Sequence, residues 1–300
     1  MEHSFIAWLQ QRVSQLPKPR IGIGDDAAWI DAPKGCIVTT DSLCEGTHFK
    51  VAECGPRAVG RKLAGVNLSD IAAMAAEPRG LFLSLCLPRP HAAAYACEIA
   101  EGVLELATQF ETPLAGGDTN VWDGPLVVHM TAIGEATDRG CWRRSGAKIG
   151  DRIFVTGSLG GSILGKHLQF EPRIHLARHI REHFSIHAAA DISDGLGVDL
   201  QNIIAASRCG ACIDLDAIPI SDDAKRLSEQ TGRPPREHAW GDGEDFELVF
   251  TVSAEEAQRL PSSIDGVALT NIGEIVSRTG LWTREGKNWK QVPPKGYIHR

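Results

Sequence analysis

Residues 57–87, RAVGRKLAGVNLSDIAAMAA followed by EPRGLFLSLCL, decide the fold. In the first part Val59, Leu63, Val66, Leu68, Ile71 and Met74 recur every three or four positions, which predicts a helix over 57–76 with one apolar face. Pro78 and Gly80 stop it, and Gly80–Leu87 then reads as a strand. Working outward, Cys36-Ile37-Val38-Thr39-Thr40 is a β-branched strand ending at Asp41. Residues 91–109 form an alanine-rich helix, and Leu126–Glu135 is a further strand. This alternation predicts a mixed sheet covered by helices. An amphipathic helix is expected at 4–16.

Three hundred residues exceed what one core normally serves, so two domains are expected. The polar, glycine-punctuated stretch 137–151 marks the boundary and gives domains at 1–137 and 138–300. Beyond it, strands are expected at 151–155, 211–215, 246–252 and 267–275, with helices at 172–183, 195–207 and 253–260. Composition is that of a soluble globular protein, 43% hydrophobic and 23% charged. The net charge of −7 and the lack of a basic block argue against nucleic acid as a partner. No apolar run is long enough for a membrane span, and the N-terminus lacks a secretory pattern. With eight scattered cysteines, a reducing cytoplasmic setting is the simplest account. Cys209-Gly-Ala-Cys212 has no second ligand pair for zinc, so structural thiols are expected there.

Six clusters set aspartate beside glycine or a hydroxyl residue: Gly24-Asp25-Asp26, Thr39-Thr40-Asp41, Leu68-Ser69-Asp70, Gly117-Asp118, Asp191-Ile-Ser193-Asp194-Gly195 and Gly241-Asp-Gly-Glu244-Asp245. Such oxygen donors, gathered from distant positions, suit Mg²⁺, which is held by a few carboxylates together with substrate phosphates. At the strand end, Thr39 and Asp41 point together while Thr40 supplies a second oxygen. Asp70 falls inside an apolar helix, where an unpaired carboxylate is costly. Asp25, Asp242 and Asp245 read equally well as turn residues. Gly116-Gly117 allows a ligand close to the backbone, and Arg144 is a candidate phosphate clamp. Gly157–Gly161 resembles a phosphate-binding turn but lacks the Gly-Lys-Ser/Thr ending, so a plain strand-to-helix turn is the simpler reading. Asp194 or Ser193 could cap the helix that follows; Asp191 could not. No nucleophile elbow is present.

In order along the chain, Gly22-Ile-Gly-Asp-Asp-Ala27, Thr39-Thr-Asp-Ser42, Gly46-Thr-His-Phe49, Ala64–Met74, Gly116-Gly-Asp-Thr119, Arg144-Ser-Gly-Ala147, Asp191-Ile-Ser-Asp-Gly195 and Gly243-Glu-Asp-Phe-Glu-Leu248 closely resemble the thiamine-monophosphate kinase family. That family belongs to the aminoimidazole ribonucleotide synthetase superfamily. The resemblance implies an N-terminal α/β domain that dimerises through its mixed sheet and a C-terminal α+β domain. It implies a homodimer that transfers the γ-phosphoryl group of ATP to thiamine monophosphate, assisted by several Mg²⁺ ions. Carried over, the metal ligands are Asp26, Thr39, Thr40, Asp41, Asp70, Asp118, Asp191 and Asp194. ATP would meet Gly117, Asp118, Arg144 and Ser193, while the substrate would meet His48, Glu244 and a C-terminal ring. The family's aromatic-rich ending differs from Pro294-Lys-Gly-Tyr297-Ile-His-Arg300, where Tyr297 offers the ring. Alternatives are a purine-synthesis ligase of the same superfamily, a Mg²⁺-dependent phosphatase, or a non-catalytic nucleotide-binding protein.

Overall fold

The computed structural model describes residues 2–17, 23 and 35–297. The chain divides into two compact units, one of residues 1–71, 76–140 and 168–174, the other of 72–75, 141–167 and 175–300.

The first unit contains α1 (Glu2–Arg12), β1 (Cys36–Cys44), α2 (Val51–Cys54), α3 (Pro56–Ala73, whose last two residues belong to the second unit), β2 (Glu77–Pro88), α4 (Ala92–Gln109), β3 (Leu114–Trp122) and β4 (Val127–Glu135). Its four strands run in the order β1-β4-β2-β3, with β2 and β3 parallel and the other pairs antiparallel. Along β4, buried and half-buried residues alternate strictly. Val128, Met130 and Ala132 face inward, as do Leu81, Leu83, Leu85 and Leu87 of β2, all buried. The buried sides of α3 and α4, including Leu63, Leu68, Ile99 and Val103, complete this core. The opposite face of the sheet carries Val38, 60% exposed, with Thr40, Ser42, His129 and Thr131.

The helices α3 and α4 approach at two glycines. A Cβ on Gly60 would lie 1.9 Å from the Ile99 carbonyl oxygen, and one on Gly102 would lie 1.9 Å from that of Arg57. Backbone therefore meets backbone at this crossing.

The second unit contains β5 (Arg152–Thr156), α5 (Lys166–Gln169, whose last two residues belong to the first unit), α6 (Ile174–His183), β6 (Ile186–Asp191), α7 (Leu196–Ser207), β7 (Gly210–Ile213), α8 (Asp222–Thr231), α9 (Pro235–Gly241), β8 (Leu248–Val252), α10 (Ala254–Arg259), β9 (Ser263–Ile264), β10 (Val267–Val276), β11 (Gly280–Glu285) and β12 (Asn288–Gln291). Seven of these strands pair in the order β12-β11-β7-β10-β5-β8-β6, and β9 pairs with β10. Leu196, Leu200, Ile203 and Ile204 of α7 bury one helix face against Ile153, Val155, Val249 and Ile275. All eight cysteines are free thiols, and Cys209 and Cys212 are buried. No helix among the described residues is long and apolar enough to cross a membrane.

Three local expectations change. Asp41 lies inside a nine-residue strand rather than at its end. Gly117 and Asp118 lie within a strand that had not been anticipated. Among the elements that went unanticipated are α8 and α9 and the strands β3, β6, β11 and β12, because charged helices and strands without regular alternation carry little periodic signal.

Candidate active site

In the first unit, β1 places Thr39 and Asp41 on the inward face, beside the last turn of α3. The Thr39 hydroxyl donates to the Asp70 carboxylate there. Burial, reinforced by the negative charge of Asp70, pushes the Asp41 carboxyl up to about 6. Asp70 also sits at the negative end of the α3 dipole, where a further anion is unfavourable. Two carboxylates and a hydroxyl are thus held together in a place that disfavours negative charge. A hard cation would reverse that penalty.

Thr40 points to the other face. Its hydroxyl meets the His129 ring at 3.0 Å and the Thr131 hydroxyl at 3.2 Å, and donates to the Met130 carbonyl at 3.1 Å.

His48 follows β1. Its Nδ1 accepts the Cys44 N–H at 3.0 Å, which places the neutral ring's proton on Nε2. The fully buried Lys62 donates to the His48 carbonyl at 2.8 Å and fixes this turn from below.

Gly117 and Asp118 occupy β3 at the far edge of the sheet. Gly117 has φ +153°, and a Cβ there would fall 1.7 Å from the Leu83 carbonyl oxygen, so strand packing alone demands glycine. Asp118 accepts a bond from Asn120 Nδ2 at 2.7 Å. The register pairs Ser42 with His129, His129 with Ser84, and Ser84 with Asp118. Asp118 therefore lies in a row of the outward face, whereas Asp41 lies in the adjacent inward row with Met130 and Leu83. The fold brings Thr39, Asp41 and Asp70 together but does not bring Asp118 to them within one chain. Asp26 lies outside the described residues.

In the second unit, Asp191 ends β6 and is buried. The loop after it is pinned on several sides. Ile192 N–H donates to the Glu247 carbonyl, Phe246 N–H to that of Ile192, and Glu244 N–H to that of Ser193 at 2.7 Å. Tyr297 N–H donates to the Asp194 carbonyl at 2.8 Å, so the C-terminal segment reaches the same loop. Asp191, Ser193, Asp194, Glu244 and Tyr297 are thereby gathered. The Arg144 carbonyl accepts from the Ser207 hydroxyl at 3.1 Å, which ties the arginine segment to the end of α7.

Asp199 was missed by the sequence reading. It is 1% exposed, and its carboxylate accepts the Asp194 N–H at 3.0 Å. Burial and the charge of Asp194 push it up to about 7, against the opposing pull of the Asp194 amide and the Arg144 guanidinium. The available signal was a carboxylate on the apolar stripe Leu196, Leu200 and Ile203. Lys62 gave a similar one.

Among the described residues no three histidine, cysteine or acidic side chains form a closed metal cage. The donors are all oxygen, and carboxylates come in open pairs. That matches Mg²⁺, which keeps waters and takes substrate phosphates as ligands.

Residues 24–136 match the AIR synthase related protein N-terminal domain, and residues 148–282 match its C-terminal domain. A thiamine-monophosphate kinase from Rhodopirellula baltica is 44% identical over 309 residues, spanning 100% of this chain and 97% of that protein. The crystal structure of the thiamine-monophosphate kinase from Stenotrophomonas maltophilia K279a superposes with a TM-score of 0.81 at 34% identity, covering 93% of this chain and 95% of that one. A structure described as AaThiL complexed with AMPPCP and TMP gives a TM-score of 0.79 at 28% identity, covering 100% and 97%. The chain belongs to the AIR synthase related proteins and, among them, to the thiamine-monophosphate kinase family.

Proposed function

We propose that the chain transfers the γ-phosphoryl group of ATP to thiamine monophosphate, giving thiamine diphosphate and ADP. The observation that carries this reading is the Thr39–Asp41–Asp70 cluster, whose charge asks for a hard cation, in a chain 44% identical to a thiamine-monophosphate kinase.

The acceptor is a phosphate monoester with a second pKa near 6, so its oxygen is already an anion at neutral pH. No general base is needed. An acceptor oxygen bonds to the γ-phosphorus as the bridging bond to the β-phosphate breaks and ADP departs. Mg²⁺ would be held by Asp26, Thr39, Thr40, Asp41, Asp70, Asp118, Asp191 and Asp194, and would supply charge neutralisation between the two polyanions. Arg144, Ser193 and the Gly117 amide orient the ATP phosphates. His48 offers its Nε2–H to the substrate. The Glu244 carboxylate complements the cationic thiazolium ring, and Tyr297 presents an aromatic face to it. Catalysis then rests on positioning and electrostatics.

The working unit is a homodimer joined through the open face of the four-stranded sheet. That face exposes Val38, Thr40 and Ser42 to a partner. Domains are taken as 1–137 and 138–300. The eight free thiols suit a reducing cytoplasm.

The test is incubation with ATP, Mg²⁺ and thiamine monophosphate. Thiamine diphosphate and ADP should appear in equal amounts. Release of inorganic phosphate alone would instead indicate a phosphatase, and turnover of a formylglycinamidine-type substrate a ligase.

A further inference from the structure

The glycine turn after β5 has no part in the chemistry above, yet side chains of a neighbouring segment anchor it closely. The amides that would face a bound phosphate are already taken by side chains. Gly160 N–H lies 2.9 Å from both Asp245 oxygens, and Gly161 N–H donates to Asp242 at 3.1 Å. The Ser162 hydroxyl donates to the Gly243 carbonyl at 2.6 Å. Lys166 reaches Glu247 at 3.0 Å and Asp245 at 3.9 Å. Thr156 adds a hydroxyl bond to Glu247 at 2.7 Å. Asp245 and Glu247 are fully buried, so these contacts are shielded from water.

What the contacts hold is a strained segment. Glu244 has φ +62° and Phe246 φ +50°, and neither is glycine. Left-handed backbone is costly for such residues and persists only where surrounding bonds over-determine it. The stitches to the turn fall on Asp242, Gly243, Asp245 and Glu247, flanking both strained positions. Glu244 itself bonds through its N–H to the Ser193 carbonyl. The glycines fit the same purpose. A Cβ on Gly157 would sit 2.3 Å from the Glu247 carboxylate, and Gly160 and Gly161 have φ of +87° and +73°.

We propose that the turn 156–166 is a latch that holds Glu244 in its left-handed conformation for substrate, with Asp245 and Lys166 as positioning residues. This rests on the reading that Glu244 contacts thiamine monophosphate. A turn that looks built for phosphate is filled by the chain's own carboxylates, and its role is to aim a neighbouring one. Loss of the latch would let Glu244 relax and weaken capture of the organic substrate, leaving ATP capture intact.

The experiment measures KM for both substrates, with Mg²⁺ present, in Asp245→Asn, Lys166→Met, Glu244→Gln and the pair Asp245→Asn with Glu244→Gln. Asp245→Asn and Lys166→Met should each raise KM for thiamine monophosphate by about tenfold while KM for ATP stays within about twofold. In the Glu244→Gln background, Asp245→Asn should add almost nothing. A general structural role would instead move both KM values, or persist undiminished without Glu244; either result overturns the proposal. Unchanged KM in Asp245→Asn, with Glu244→Gln impaired, overturns the latch alone. Unchanged KM in Glu244→Gln removes the substrate contact and the latch's purpose with it. If Asp245→Asn fails to fold, Ser162→Ala, which cuts only the bond to Gly243, is judged by the same criteria.

Discussion

Asp41 and Asp118 stand on opposite edges and opposite faces of one four-stranded sheet. Asp41 pairs with Met130, which pairs with Leu83, while Asp118 pairs with Ser84 one residue further on. Three strand spacings separate them, roughly 14 Å. Two carboxylates so placed cannot share a phosphate-bound cation cluster in one chain. In the proposed homodimer the second copy would have to supply the missing one.

This predicts complementation. Asp41→Asn and Asp118→Asn should each be nearly inactive as pure dimers. Mixed after subunit exchange, they should recover about a quarter of wild-type activity, because half the dimers are mixed and each keeps one of two intact sites. No recovery in demonstrably mixed dimers would place both residues in a single-chain site.

The two threonines of β1 should separate by face. Thr39→Val removes the hydroxyl bound to Asp70 and should raise the Mg²⁺ concentration for half-maximal activity by about tenfold. Thr40→Val, whose hydroxyl faces His129 and Thr131, should cost far less. Mg²⁺ titration of initial rates decides between them.

Much of this was legible beforehand. The period of α3 and the alternation after Gly80 gave the helix–strand core, and the dense Asp191–Asp194 motif marked the second cluster. β3 stayed hidden because Gly116, Gly117, Asp118 and Asn120 are poor strand formers, held there by pairing with β2. Without that strand, the row containing Asp118 could not be drawn. Asp199 stayed hidden because its partner is a main-chain amide brought close only by the loop's path.

Asp41 makes metal-free stability depend on pH. Below about pH 4 it is protonated in both folded and unfolded chains, so it contributes no difference. As pH rises through about 6 the folded state must ionise a carboxyl that burial and Asp70 disfavour, and stability falls. Asp41→Asn should therefore stabilise the protein in EDTA at pH 8 by about 1–3 kcal/mol, and not at pH 3.5. Thermal melts with EDTA and with saturating Mg²⁺ check this, the metal reversing the order.

The glycine contact between α3 and α4 should tolerate no methyl. Gly102→Ala would press against the Arg57 carbonyl and should cost about 3 kcal/mol, lowering Tm by several degrees. Calorimetry reads this directly. An unchanged Tm would mean the helices separate without penalty.

The central claim is a direct transfer to an acceptor that is already anionic. ATP made chiral at its γ-phosphorus with oxygen isotopes tests it in one turnover. Thiamine diphosphate carrying the label in its terminal phosphate, with inverted configuration, is the predicted result. Retained configuration, or label recovered on the protein or as inorganic phosphate, would contradict it.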